Sequence, residues 1–427
     1  MSFNKRMLSA GAAPFVNSEN FGVVTYTGNG GSQAITGLGF QPDLIWHKRL
    51  NESSDHNLSD SNRGVMKGLN PNTSAAEGDQ DPLGVTAFGA DGFTVNDNDG
   101  GGAGVNGSND SYVAWCWRAN GGTTSTNTDG SINTTVQTNE NSSLSIITYT
   151  GNGTAGATIG HNLGATPDMF IVKKRSAGNT NWRTYHKDSH ATPEDYNLEI
   201  NGLTPAEDRT EWNDTAPTSS VISVSSHDSV NQSSSNYVCY AFKSIDGFSK
   251  FGSYEGNSSD NGPIVETGFE PAFLMIKNTD DNGSWFMYDN KRNTSNPRVN
   301  YLLANGVNQE ASDMGGVDFL SNGFQIKEDH DDVNDTGDTY IYMAFAADAD
   351  EEAPALANSF NVEIYNGTKA NEQSITGFGF NPNLIWLKNR DASDHWSIFD
   401  TNRGPTALLQ VNDSGAEQAF GAGAFNF

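Results

Sequence analysis

The feature that most constrains the fold is a stretch of sequence that recurs four times. Its clearest form runs from Gly28 to Lys48 and reads GNGGSQAITGLGFQPDLIWHK, and a close copy occupies residues 365–388. Weaker copies occupy residues 149–173 and 254–277, and every copy has a corner proline: Pro42, Pro167, Pro271 and Pro382. Proline cannot donate to a β-ladder, so it fits just before the apolar strand that follows. Four copies of one module therefore account for most of the chain.

Composition agrees with an all-β reading of this module. The 46 glycines and the many Asn, Ser, Thr and Asp residues form clusters between short apolar runs, and such clusters are turn signals between strands. The aromatic content of 10% argues for real cores and against disorder. We therefore predict a tandem array of antiparallel β-sandwich domains of about 100 residues each.

The repeats set the predicted domain boundaries. We place them at residues 1–20 (N-terminal arm), 21–120 (repeat 1), 121–141 (flexible linker), 142–247 (repeat 2), 248–347 (repeat 3), 348–358 (acidic linker) and 359–427 (incomplete repeat 4). Repeats 2 and 3 follow each other almost without a break. We therefore expect them to pack as a pair, with repeat 1 more loosely tied.

Repeat 4 lacks one recognisable element. The first three repeats close on an aromatic strand such as Tyr112–Trp117, and nothing after Leu408 matches it. Either the sequence ends early, or a partner chain supplies the strand. An unpaired sheet edge invites pairing with another chain, so we expect a homo-oligomer, with the C-terminal unit favoured over the N-terminal arm as its anchor.

Charge and cysteine content exclude several classes of protein. The net charge of −28 repels phosphates and anionic lipids, so we predict neither a nucleic-acid nor a membrane partner. No apolar run is long enough for a transmembrane helix. Cys116 and Cys239 lie in the closing strands of different repeats, which predicts two buried thiols and no disulfide.

The best-kept polar pattern is Asp-x-x-Arg. It appears as Asp60/Arg63, Asp289/Arg292 and Asp400/Arg403, with Trp285 and Trp396 four residues before the last two aspartates; repeat 2 has residues 182–188 (WRTYHKD) instead. One interpretation is a sugar site with an aromatic platform. The other, which recurrence favours, is an ion pair that pins a loop in every copy.

Other candidate sites are weak. The acidic loops at residues 96–100 and 328–335 could supply calcium ligands but lack the EF-hand spacing, so a solvated loop is the favoured interpretation. The eight histidines are scattered without metal-ligand spacing, and no pair of carboxylates stands out for glycoside hydrolysis. We predict no catalytic residues, no cofactor and no enzymatic activity; the ligand-binding residues are unknown.

Several phrases resemble repeated modules in virion proteins of tailed bacteriophages, especially marine ones. They include YTGNG, ITGLGFQPDLIWHK, SDSNRG, GADGFTV, SYVAWCW, EWNDTAPTS and SKFGSYEGN, and the resemblance covers residues 21–427. It implies a concanavalin-like, jelly-roll sandwich similar to lectin domains, in a virion component such as a tail fibre or head-surface fibre. The incomplete repeat 4 departs from this pattern.

Three functions remain open from the sequence. The first is a non-enzymatic virion fibre, in contact with other virion proteins, whose outer domains adhere weakly to host-surface glycans through avidity. The second is a capsid-decoration or tail-adaptor protein without a ligand. Aromatic side chains exposed on loops favour the first function, and buried ones favour the second. The third, a polysaccharide-degrading tailspike, needs two carboxylates about 5–9.5 Å apart in a cleft.

Overall fold

The structure is a computed structural model that describes residues 20–97, 104–138, 143–176, 178–346, 362–368, 373–376, 378, 380–404 and 406–419. The chain divides into two compact units, Met1–Asp350 and Glu351–Phe427. Strands dominate both units, and every pairing between named strands is antiparallel. The predicted all-β class of antiparallel sheets is therefore confirmed. The predicted arm at residues 1–20 (apart from Asn20) and the acidic linker lie outside the described residues.

Repeat 1 is a sandwich of two sheets. Its strands are β1 (Phe21–Thr27), β2 (Ser32–Thr36), β3 (Leu44–Arg49), β4 (Asn57–Asp60), β5 (Lys67–Gly68), β6 (Gly78–Asp79), β7 (Gly84–Gly89), β8 (Gly92–Asn96) and β9 (Ser111–Trp117). The main sheet has the order β1-β9-β3-β4 and the small sheet β2-β8-β7, with β5 and β6 as a separate ribbon.

Repeat 2 has the same plan with a longer main sheet. Its strands are β10 (Ser125–Asn127), β11 (Thr134–Gln137), β12 (Leu144–Thr150), β13 (Ala157–Gly160), β14 (Met169–Lys174), β15 (Arg183–His186), β16 (Tyr196–Glu199), β17 (Glu207–Asp208), β18 (Val221–Val224) and β19 (Asn236–Phe242). The main sheet runs β10-β11-β12-β19-β14-β15-β16-β17, and β13 pairs with β18. A 3-10 helix (Pro193–Asp195) and helix α1 (Asp228–Asn231) complete it.

Repeat 3 repeats the plan again. Its strands are β20 (Ser249–Glu255), β21 (Ile264–Glu266), β22 (Pro271–Asn278), β23 (Phe286–Asp289), β24 (Leu302–Leu303), β25 (Val317–Leu320), β26 (Gly323–Ile326) and β27 (Thr339–Ala346), with helix α2 at Asp331–Asn334. The main sheet has the order β20-β27-β22-β23-β24 and the small sheet β21-β26-β25. In all three repeats, the closing strand lies between the first strand and the strand at the corner proline.

The closing strand is buried on both of its faces. In β9, Ala114 and Cys116 point into the sandwich of repeat 1, whereas Val113, Trp115 and Trp117 point to the opposite side of the main sheet. A strand with only one buried face alternates apolar and polar residues, and one buried on both faces reads as a continuous apolar run. The run YVAWCW therefore fits a sheet packed between two cores.

The second core is shared by the three repeats. Trp117, Phe242 and Phe345, at corresponding positions of the three closing strands, surround one point, with ring centroids 5.7 to 6.5 Å apart. Phe21 of repeat 1 also stacks on Phe345 at 5.0 Å. The expectation that repeat 1 is more loosely tied than repeats 2 and 3 is therefore wrong, because all three repeats share one core within one compact unit. The apolar outer faces of all three main sheets are covered only when the repeats pack together.

The segment predicted as a flexible linker, residues 121–141, is ordered where it is described. It supplies β10 and β11, and β11 pairs with β12 at the edge of the main sheet of repeat 2. The Asp43 carboxylate of repeat 1 accepts four backbone N–H groups from residues 119–122 and the Gln137 side-chain amide at 2.7 Å. These hydrogen bonds explain why a polar, Gly-rich segment lies across two repeats.

Unit 2 contains part of the same plan. Its strands are β28 (Leu384–Leu387), β29 (Ser397–Asp400), β30 (Ala407–Gln410) and β31 (Gln418–Ala419), paired in that order. Among its described residues, β28 has one strand neighbour, whereas its counterparts β3, β14 and β22 each have two. Residues 362–368, which correspond to the first strand of the other repeats, form no strand.

Two smaller predictions can also be checked. Cys116 and Cys239 are buried free thiols, as expected. Within the described residues, no helix has the length and apolar character needed to cross a bilayer.

The shared core predicts that unit 1 unfolds as one body. Phe345→Ala should cost about 3–5 kcal/mol, because it leaves a cavity where aromatic rings from several repeats meet. Hydrogen exchange should accelerate in β9 and β19 as well as in β27. Ile264→Ala, at an exposed position of repeat 3, is the control. Independent domains would instead confine the change to repeat 3.

Candidate functional site

The conspicuous polar residues of the sequence lie at the three seams, which we define as the contacts between repeats 1 and 2, 2 and 3, and 3 and 1. Each seam begins with an anchor asparagine. Its Oδ1 accepts the backbone N–H of the residue immediately before β4, β15 or β23 of its own repeat, at 2.9 to 3.0 Å. The donor and anchor pairs are His56 and Asn72, Trp182 and Asn201, and Trp285 and Asn305.

The same donor residue reaches across the seam with its ring. Each ring nitrogen contacts a backbone carbonyl of the next repeat, two residues before that repeat's anchor asparagine, at 3.0 to 3.1 Å. The pairs are His56 Nε2 with Leu303 O, Trp182 Nε1 with Asn70 O, and Trp285 Nε1 with Glu199 O. Repeat 1 thus contacts repeat 3, repeat 3 contacts repeat 2, and repeat 2 contacts repeat 1. The interface is directional and closes after three copies.

The histidine of repeat 1 replaces tryptophan without loss of this contact. Its Nδ1 accepts the indole N–H of Trp46 at 2.8 Å, so the proton lies on Nε2 and can be donated to Leu303 O. Burial lowers the pKa of His56 to about 3, which keeps the ring in this neutral form.

A lysine at the end of the corner-proline strand makes a second contact across each seam. Each Nζ donates to a backbone carbonyl two residues after the neighbour's anchor asparagine, at 3.0 to 3.3 Å. The pairs are Lys48 with Val307, Lys173 with Ser74, and Lys277 with Leu203. Burial lowers the pKa of all three lysines to about 8, so they are much less basic than exposed lysines. The conserved spacing around the anchor asparagine shows that the seams are copies of one interface.

The Asp-x-x-Arg pattern forms ion pairs at these seams. In repeats 1 and 3, Arg63 Nε and Arg292 Nε contact Asp60 Oδ2 and Asp289 Oδ2 at 2.5 Å, with buried side chains. Both arginines also donate to a backbone carbonyl of their own repeat, so the pair pins a loop, as the favoured interpretation expected. The sugar-site interpretation fails for these two copies, because the groups are not accessible to a ligand.

Each aspartate also bonds to the neighbouring repeat. Tyr240 Oη of repeat 2 donates to Asp60 at 2.6 Å, and Trp115 Nε1 of repeat 1 donates to Asp289 at 3.1 Å. Burial opposes ionisation of Arg63, but Asp60, Tyr240 and Glu77 outweigh it and raise the arginine pKa. The Arg63–Asp60 pair is therefore stabilised by groups from both sides of the seam.

Repeat 2 departs from the pattern in a way that the structure explains. His186 occupies the aspartate position, and Met343 is the fifth residue of its closing strand, where the other two closing strands have the cross-seam donors Trp115 and Tyr240. Methionine has no proton to donate, so an aspartate here would be a buried charge without a donor. The histidine Nε2 instead lies 3.2 Å from the Tyr342 carbonyl oxygen.

The sequence signal for the seams was present but incomplete. The Trp-to-Asp spacing marked Trp285, and the strand-ending lysine was part of every copy of the repeat. The anchor asparagines and the carbonyl acceptors were not found, because a backbone acceptor leaves no trace in the sequence. Of the two tryptophans named in the sugar-site interpretation, Trp285 is instead hydrogen-bonded to the Glu199 carbonyl of the neighbouring repeat, whereas Trp396 lies in unit 2 and is exposed.

The acidic loops show one cluster. One carboxylate oxygen each from Asp260, Glu328 and Asp329 lie within 4.8 Å of one another, on the surface of repeat 3. In the other loop, Asp97 is buried and accepts backbone N–H groups of Val105 and Asn106 at 3.3 Å, while residues 98–100 lie outside the described residues. Calcium binding stays a prediction.

A cavity lies at the seam between repeats 3 and 1. Its volume is about 190 Å³, and Ser53, Tyr301, Leu303 and Glu310 are among its lining residues. Glu310 is already bound to Arg292 Nη1 at 3.1 Å. This volume is below the roughly 300–1,000 Å³ that is usual for pockets of drug-sized ligands.

Comparison with protein families gives one match. A family model described as a domain of unknown function (DUF7483) matches residues 16–349 and 356–424. A comparison with curated proteins finds no match.

The effect of losing an indole hydrogen bond across a seam can be distinguished from the effect of losing one within a repeat. Trp285→Phe and Trp212→Phe each remove one indole N–H donated to a backbone carbonyl, and each should cost about 1–3 kcal/mol. Of these two indoles, only that of Trp285 donates across a seam. The Ala206 and Gly283 amides donate to the carbonyls of Thr279 and Leu203 across the same seam. Their hydrogen exchange should therefore accelerate in Trp285→Phe and change less in Trp212→Phe. Equal acceleration in both variants would contradict the seam assignment.

His47 predicts an acid sensitivity of repeat 1. Its ring is fully buried between Tyr26 and Phe93, and burial lowers its pKa to about 3. The unfolded chain binds this proton near pH 6.5, so the stability held by the neutral ring is lost as pH falls from about 6.5 toward 3, at ~1.4 kcal/mol per pH unit. The variant His47→Leu introduces the residue that repeat 4 has at this position, Leu387. It should reduce the loss of unfolding free energy measured between pH 6.5 and pH 5.

The exposed His190 supplies the control for this experiment. His190→Leu should leave the pH dependence of denaturant unfolding as in the parent chain. If the unfolding free energies of His47→Leu and of the parent chain changed equally with pH, His47 would not contribute to the acid sensitivity.

Proposed function

The chain belongs to the DUF7483 family, and we propose that it is a non-enzymatic structural protein of a phage virion. The phage assignment rests on the resemblance of its repeated phrases to virion proteins. Within that setting, we propose that unit 1 acts as a rigid spacer or decoration body in contact with other virion proteins.

The observation that carries this proposal is that the aromatic and charged groups of unit 1 are buried in the contacts between its repeats. The indoles of Trp115, Trp182 and Trp285 are buried and bonded across seams, and Asp60 and Asp289 are neutralised there. A glycan platform needs aromatic faces open to solvent. Burial of these groups favours a structural role over an adhesive one for unit 1.

Rigidity is a consequence of the closed ring. Each repeat is held by two neighbours through its main sheet, so no repeat can swing out without opening two seams. The acidic surface suits a particle component, because a high net charge keeps such bodies soluble and apart from nucleic acid.

Glycan adhesion remains a second candidate for unit 2 alone. Trp386 and Trp396 are exposed there, with ring centroids 5.8 Å apart, and the Asp400–Arg403 pair is only partly covered. This is the one place among the described residues where the aromatic and charged groups of the sugar-site interpretation are open together.

Two measurements test the function. Mass spectrometry of density-purified particles of a phage that encodes this chain should detect it in amounts that survive a high-salt wash; its absence from intact particles would overturn the virion assignment. On a glycan array, we expect the purified chain and its Trp386→Ala variant to give the same signal. Binding lost in that variant would establish adhesion by unit 2 instead.

A further inference from the structure

Unit 2 exposes the face that unit 1 buries. Leu384 and Trp386 are 60% and 56% exposed, whereas Leu44 and Trp46, at the same positions of repeat 1, are 2% and 4% exposed. Leu409 lies three residues before an anchor asparagine and is 36% exposed. Its counterparts Leu69, Leu198 and Leu302 are all in the shared core.

Repeat 4 also holds both sides of a seam. On the donor side are Trp396 and Lys388; on the acceptor side, Gln410 and Ser414 lie two residues before and after Asn412. Asn412 is a true anchor, since its Oδ1 accepts the Trp396 backbone N–H at 2.9 Å. Lys388 Nζ donates to the Asp394 carbonyl of its own loop. The local geometry of the seam is therefore formed within repeat 4 itself.

We propose that the repeat 4 units of three copies of this chain pack into a ring through the contacts that Trp396, Lys388 and Asn412 have in common with the seams of unit 1. The partner that covers this face of repeat 4 must be another module of the same kind. Only such a module presents backbone carbonyls at the spacing that the Trp396 indole and the Lys388 ammonium group require. The three repeats of unit 1 have no open seam, since each already has two neighbours. A second and a third repeat 4 are the modules with open seams that this chain offers.

The number three follows from the direction of the interface. A twofold contact is reciprocal, whereas at every seam of unit 1 one repeat supplies the ring nitrogen and the lysine and the other repeat supplies both carbonyls. Unit 1 shows that this donor-to-acceptor contact closes after three modules. The proposal does not depend on the virion assignment, and it holds for the chain in isolation.

The mass of the full-length chain in solution tests the proposal. Light scattering should give three times the chain mass of 45.8 kDa, falling to one in Leu409→Asp. Leu409 is partly exposed in the isolated unit, so the charge disrupts the ring rather than the unit itself. Ile264→Asp, at a 65% exposed aliphatic position of repeat 3, is the matched control and should stay trimeric. A monomeric or dimeric parent chain, or a trimer that survives Leu409→Asp, would overturn the proposal.

Cross-linking gives a second test that does not rely on disruption. Lys388→Cys combined with Ser414→Cys places one thiol on each side of the seam, while Cys116 and Cys239 are buried. A short bismaleimide should then produce covalent trimers of the double variant and none of either single variant. Cross-linked dimers from Lys388→Cys alone would indicate a twofold contact and contradict the ring.

Discussion

The structure of unit 1 depends on main sheets that are buried on both faces. One face of each closing strand fills its own sandwich, and the other places Trp117, Phe242 or Phe345 where the three repeats meet. A lone module would leave this second face in water, and burial of each large aromatic side chain is worth a few kcal/mol. The module therefore folds to completion only with neighbours of its own kind.

The polar contacts at the seams determine how these apolar faces meet. Apolar burial has no direction, so it cannot by itself choose between a ring, a line and a twofold pair. Ring nitrogens and lysines that donate to backbone carbonyls fix both register and direction. The replacement of aspartate by His186, at the seam that has Met343 in place of a donor, shows the same rule, because a buried acceptor needs a donor across the seam.

Repeat 4 places the same interface in a different context. Its anchor asparagine and ion pair are formed, while the apolar positions that the other repeats bury stay exposed. One interface could thus serve within a chain and between chains. The family is described only as a domain of unknown function, and the ring arrangement supports the structural role that we propose for this chain.

The sequence by itself determined the module: four copies, the strand after each corner proline, the buried cysteines and the loop-pinning Asp-x-x-Arg pair. These features are local, and spacing and alternation record them directly. Only the tertiary structure decided that three modules close on one core, and that the linker becomes two strands held by Asp43 and Gln137. The apolar run YVAWCW signalled two buried faces, but not what covers the second. The seam ring nitrogens and lysines bond to backbone carbonyls, which every residue carries, so the residue type does not mark these acceptors.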